Sequence, residues 1–225
     1  FDPQFADLND DGILDVISGR YMPGTVYWFR GIGEGKFAAR QELLGGEDKD
    51  MSVAMATANM IDFDRDGDLD LIIGDVKGYV SLSLNEGSKT QPKFVKRSHL
   101  KVGDADLKVV QKSDPWPVDW DGDGHIDLLV GDEAGDASFF KGRADGTFLP
   151  GVSLFTGETV DVSRRYMDCK KLLDKHGRVV PGYRLRLTTH DWNGDGKLDL
   201  LIGNCAPAAK GQTGTTGNVR VMLRQ

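Results

Sequence analysis

The chain has 225 residues, with 28 Lys and Arg against 35 Asp and Glu, a formal net charge of −7, 39% hydrophobic residues and 29 Gly. That length is enough to bury a core, the composition is too apolar for a disordered chain, and no apolar run reaches the roughly 18 residues of a membrane span. The acidic balance lacks the clustered Lys and Arg that a nucleic-acid backbone needs, so nucleic acid is excluded as the principal partner.

The opening FDPQFADLNDDG has neither the basic start nor the apolar stretch of a signal peptide, so the expected form is mature or excised. The first recognisable element follows at once as an acidic loop running into a short apolar segment, DLNDDGILDVISG from Asp7. Its strand-like sequels are TVYWFRG and, after a Gly-containing turn, GKFAARQELL. MSVAMATANMI then leads into a second loop, DFDRDGDLDLIIG from Asp62, followed by GYVSLSLNEG and PKFVKRSHL. The third loop is DWDGDGHIDLLVG from Asp119, with DASFFKG and GTFLPGVSLF behind it. YRLRLTTHDW introduces the fourth, DWNGDGKLDLLIG from Asp191; APAAKGQTGTTG (206–217) then reads as a flexible loop, and the chain ends in NVRVMLRQ.

The shared template is D-x-[DN]-x-D-G-x-Φ-D-Φ-Φ-x-G, where Φ is apolar, and its starts lie 55, 57 and 72 residues apart. Four copies at a near-regular period describe a repeat architecture. The apolar runs ending in Gly19, Gly74, Gly131 and Gly203 are too short for helices and read as buried strands. The expected fold is all-β, a β-propeller of four-stranded blades. It reads as one unit over 1–225, with blades near 1–46, 47–103, 104–155 and 183–225 and an insertion at 156–182. The last blade is one strand short, so the repeats form either a four-bladed ring or, the favoured reading, a piece of a longer propeller.

Positions one, three, five and nine of the loops offer oxygen in every copy: Asp7, Asn9, Asp11 and Asp15; Asp62, Asp64, Asp66 and Asp70; Asp119, Asp121, Asp123 and Asp127; Asp191, Asn193, Asp195 and Asp199. Carboxylates this dense repel one another when bare, whereas a hard cation with six to eight oxygen ligands is satisfied by them. The expected cofactor is Ca2+, up to four ions, since Zn2+ would call for His or Cys. Position seven varies as Ile13, Asp68, His125 and Lys197, so its backbone carbonyl is the expected ligand there. Position six is always Gly. An EF-hand would place an acid at position twelve and continue as a helix; here that position is Ser18, Ile73, Val130 and Ile202, and a strand follows. The alternative to a metal is an acidic turn held by Asx hydrogen bonds. Loops two and three, with four acids each, are expected to bind more tightly than the Asn-containing loops.

These segments resemble the FG-GAP or VCBS repeat family, the calcium-looped blades of integrin α-subunit heads and many secreted bacterial proteins. The similarity runs over roughly 1–151 and 183–225 and includes VYWFRGIGEGKF, SLSLNEGSKTQPKF and SFFKGRADGTF. It implies a propeller rigidified by calcium, and the fold hosts adhesion modules, carbohydrate binders and some polysaccharide lyases alike.

The expected function is therefore a binding or scaffold module for a glycan or protein ligand, placed outside the cell, on its surface or in the periplasm, where calcium is abundant. The alternative is a polysaccharide lyase or hydrolase, with candidates Lys171, His176, Tyr166 and Arg165 in the locally basic insertion. Catalysis is the less favoured reading, because the acids are already assigned to metal. Cys169 and Cys205 are spaced so that they either pair or stay free. Leu8, Phe63, Trp120 and Trp192 share position two and are expected to pack between blades. Trp116, Tyr21, Tyr27 and Trp28 are the better candidates for a binding surface.

Overall fold

The computed structural model describes residues 3–21, 24–44, 56–95, 97–155, 159, 183–207 and 215–224. All regular structure among them is β. Four antiparallel meanders make four propeller blades, each strand pairing with the next in sequence. The first blade is β1 (Pro3–Ala6), β2 (Asp15–Gly19), β3 (Val26–Phe29) and β4 (Gln41–Leu44). The second is β5 (Thr57–Ile61), β6 (Asp70–Gly74), β7 (Val80–Ser83) and β8 (Ser98–His99). A small hairpin, β9 (Lys101–Val102) with β10 (Ala105–Asp106), precedes the third blade: β11 (Asp114–Val118), β12 (Asp127–Gly131), β13 (Ala137–Phe140) and β14 (Val152–Ser153). The fourth is three-stranded, β15 (Tyr183–His190), β16 (Asp199–Pro207) and β17 (Thr215–Met222).

Strand alternation explains the core. On β6, Leu71 and Ile73 face the first blade while Ile72 faces the third; on β12, Leu128 and Val130 face the second blade while Leu129 faces the fourth. All five residues of both strands are buried, as expected of a strand covered on each face. Three apolar layers result, each sealed between consecutive blades. Backbone-directed bonds reinforce them: Asn59 Nδ2 donates to the Pro115 carbonyl at 2.6 Å, and the Thr57 hydroxyl to the Ser113 carbonyl at 3.1 Å. Pro115 and Pro117 lie in β11, an edge strand whose only ladder partner is β12, so their missing N–H groups cost no ladder bond.

The final glycine of the template has a tertiary cause. A Cβ at Gly19 would lie 1.9 Å from the Ala56 carbonyl oxygen, at Gly74 2.2 Å from that of Ser113, and at Gly131 2.6 Å from that of Leu185. Each glycine lets its blade approach the backbone of the next.

Three sequence expectations need correction. The segments GKFAARQELL, PKFVKRSHL and GTFLPGVSLF are not continuous strands. Phe37, Phe94 and Phe148 make isolated bridges to Gly31, Asn85 and Gly142, and the outer strand forms only several residues later. In the fourth blade, β16 and β17 extend into APAAKGQTGTTG, which had the composition of a loop; Pro207 pairs with Thr215, and 208–214 lie outside the described residues. Tyr27 and Trp28 are core residues, 6% and 8% exposed. Trp116 packs in the layer between the third and fourth blades and donates its indole N–H to Thr189 Oγ1 at 3.0 Å. Of those binding-surface candidates only Tyr21 is exposed. Cys205 is a free thiol, and Cys169 lies outside the described residues.

Candidate metal centre

Each acidic loop closes the corner between the first and second strands of a blade, and its fold follows from its own carboxylates. The first Asp caps the turn: its Oδ2 accepts the N–H of the position-six glycine at 2.8 Å (Asp7), 3.1 Å (Asp62), 2.9 Å (Asp119) and 2.9 Å (Asp191). Position five accepts the N–H of position seven at 2.9–3.0 Å in all four, as in Asp66 with Asp68 and Asp123 with His125. These are Asx turns, and they need the sixth residue at positive φ, 80° to 95°, which glycine adopts without strain.

The ninth Asp does something the sequence did not reveal. Asp15, Asp70, Asp127 and Asp199 are at most 1% exposed, and each uses both carboxylate oxygens as a staple. One oxygen accepts the N–H of position two, Leu8, Phe63, Trp120 or Trp192, at 2.9–3.0 Å. The other accepts the N–H of Gly31, Asn85, Gly142 or Arg224, just beyond the third strand, at 2.7–2.8 Å. The pattern was legible as an invariant acid; its double use needed the fold.

Two loops gather three carboxylates with oxygens within 4.8 Å of one another: Asp62, Asp64 and Asp70, and Asp119, Asp121 and Asp127. The four loops differ in how their charge is offset. In the first and fourth, the Asn9 and Asn193 amides donate to Asp11 and Asp195 at 2.9 and 3.0 Å. Backbone donation from Lys197, then the Asn193 amide, holds the Asp195 carboxyl below its ordinary range. In the third loop the Lys141 ammonium bonds Asp121 and sits 2.8 Å from Asp123, lowering the Asp123 pKa and raising its own.

In the second loop the Lys89 ammonium lies beside Gly67, but no ion pair with a loop carboxylate is formed among the described residues. Asp62 Oδ1 and Asp68 Oδ1 are buried without a hydrogen-bond partner, and Asp68 as a whole is 8% exposed. Burial first, then the charges of Asp66, Asp64 and Asp62, push the Asp68 carboxyl above the usual range. Orphaned oxygens in an all-carboxylate donor set suit a hard, oxygen-seeking cation. The Asp70 and Asp127 carboxyls are likewise raised, chiefly by burial.

Three of the four position-two residues pack between blades: Leu8 is 2% exposed, and Phe63 and Trp120 rest on the next apolar layers. Trp192, expected to pack likewise, is instead 60% exposed. His99 stacks on Tyr79 at 4.4 Å and bonds Asp106, a structural cluster on the second blade. Lys171, His176, Tyr166 and Arg165, the candidates for the lyase reading, lie outside the described residues.

Fold and site together define a β-propeller with an acidic loop at each blade corner. Residues 7–59 match the family model of the FG-GAP-like repeat. Among solved structures it is similar to a lectin from Agrocybe aegerita, described for its specific recognition of non-reducing terminal N-acetylglucosamine. The two share 21% identity at a TM-score of 0.51, over 89% of this chain and 46% of the lectin, so the likeness is one of fold and the chain spans about half the lectin's length. No curated protein matches. Among the described residues, no helix is long and apolar enough to cross a membrane.

Proposed function

We propose that the protein is a calcium-binding β-propeller that presents rigid loops to a glycan or protein partner outside the cytosol. The carrying observation is the second loop, where one carboxylate oxygen of Asp62 and one of Asp68 are buried without a partner beside Asp64 and Asp70. Asp62, Asp64, Asp66 and Asp70 would hold the ion, with the Asp68 backbone carbonyl completing the set. A bound calcium ion would offset two of the cluster's negative charges and lock the corner between β5 and β6. Asp119, Asp121, Asp123 and Asp127 form the next site once Lys141 yields. Asp7, Asn9, Asp11 and Asp15, with the Ile13 carbonyl, and Asp191, Asn193, Asp195 and Asp199, with the Lys197 carbonyl, would bind more weakly because one ligand is a neutral amide. At the third site the position-seven carbonyl is that of His125.

Multiple acidic loops of extracellular type saturate at about 0.1 to 1 mM calcium, which supports placement outside the cytosol. Calorimetric titration with calcium, paired with thermal melts in calcium and in EGTA, tests the reading. The expected result is saturable binding and a higher melting temperature with calcium; no heat and coincident melts would refute it. A glycan array probed in calcium tests for the partner.

A further inference from the structure

A cleft of about 450 Å3 opens between the second and third blades, within the size range of small-ligand sites. The second loop contributes Phe63 and Arg65, the third His125 and Ile126, and the turn after β13 contributes Arg143 and Thr147. Phe63 is half-buried, so part of its ring is available, and both arginines are exposed.

Arg65 stands at φ 65°, at position four of its loop. The equivalent residues are Asp10 at 55°, Gly122 at 78° and Gly194 at 75°. All four loops therefore bend through the left-handed region, and the other three use residues that tolerate it. A long side chain here costs about 1 kcal/mol and places a guanidinium on the cleft wall.

A counterpart cleft of about 330 Å3 lies between the third and fourth blades, with Trp120, Lys197 and Leu198 in the places of Phe63, His125 and Ile126. There Arg224 already occupies the aromatic face, 4.8 Å above the Trp120 ring, and bonds the Trp120 carbonyl. That side chain fills the aromatic face of the fourth-blade cleft from within the protein. In the open cleft the cations belong to the walls, and the complementary occupant is anionic.

Among the described residues neither Arg65 nor Arg143 forms an ion pair, although Asp145 lies near enough to Arg143 for their charges to interact. The Asp145 carboxylate is itself engaged by the Thr147 N–H and hydroxyl. Asp64, the acid on the cleft wall, is a ligand position of the second loop, so a divalent ion there would offset part of the acidic charge beside the cleft. Guanidinium forks match carboxylate geometry, and Phe63 with Ile126 offers an apolar surface to the C–H face of a sugar ring.

We infer that this cleft binds a carboxylated sugar, a hexuronate residue of an acidic glycan, with its carboxylate on Arg65 and Arg143 and its ring against Phe63. The inference rests on the binding-module reading above and assigns it a ligand class and a site. The test is titration of the full chain, in millimolar calcium, with trigalacturonate, with neutral cellotriose and with a poly-Glu peptide. Saturable binding of the uronide is expected, weakened about ten-fold or more by Arg65→Gly and by Arg143→Gln and unchanged by Arg224→Gln. Arg65→Gly relieves the backbone strain, so a folding defect cannot mimic the loss. No uronide binding, equal binding by wild type and both arginine variants, or preference for the peptide would overturn the inference. Calcium titration of the same samples reads the module proposal separately, since calcium binding without uronide binding removes only the cleft.

Discussion

At the scale of single residues, two kinds of glycine that look alike in the repeat have different causes. Gly74 is small because a Cβ would meet the Ser113 carbonyl, the Thr57 hydroxyl and Pro115 within 2.7 Å, all from rigid structure. Gly203 holds the same place in the fourth copy, yet its Cβ would find Arg186 no closer than 3.7 Å. Gly74→Ala is therefore expected to cost about 3 kcal/mol in denaturant unfolding and Gly203→Ala well under 1 kcal/mol, a contrast that strand propensity alone does not produce. The ninth acid makes a second residue-level case. Asp127→Asn keeps the shape but leaves one oxygen where two accept backbone N–H groups, those of Trp120 and Gly142. A loss of about 1–3 kcal/mol is expected in EGTA, so the defect is measured apart from any metal.

At the scale of elements, the four loops share one fold and differ in electrostatics, and this sets an order of affinity. The third loop carries its own cation: Lys141 stands one residue before Gly142, whose N–H reaches Asp127, so the end of β13 delivers an ammonium to Asp121 and Asp123. Leu84 occupies the corresponding place beside the second loop, next to Asn85. Lys141→Met is expected to raise calcium affinity of the third loop about ten-fold, because the ion no longer displaces a charge-assisted hydrogen bond. Calorimetry in an Asp62→Asn background, where the second loop is weakened, isolates this effect. Unaltered affinity would mean that the ammonium leaves without cost. The Asn-containing loops, where Asn9 and Asn193 donate to Asp11 and Asp195 and Arg30 also lies 3.8 Å from Asp11, are expected to fill last.

At the scale of the whole molecule, consecutive blades are joined by three apolar layers, so stabilising one corner is felt through neighbours that share a layer. Charge is the other global property. Each calcium ion adds two positive charges, and four would bring the formal −7 to +1. Native electrophoresis is expected to show mobility toward the anode falling stepwise with calcium and nearly vanishing at saturation; unchanged mobility would leave the loops without metal.

Much of this was legible in the linear chain because its signals are local. The acidic template, the glycine at position six and the strand that follows all arise from interactions within about a dozen residues, where an Asx turn or an alternating apolar run declares itself. The outer strands misled because Phe37, Phe94 and Phe148 have strand character yet pair only singly before the backbone departs from the ladder. What the tertiary structure alone decided are relations between repeats, Gly74 against Ser113 and Phe63 beside Arg143, and, within each repeat, the ninth acid reaching across to the end of the third strand. Repetition determined the blade and its acidic loop, since each is built from one stretch of chain. The folding of each blade decided which loop meets a cation, as Lys141 meets Asp121 and Asp123, and the packing of blade on blade decided which cleft stays open, because that depends on side chains brought together from different copies of the repeat.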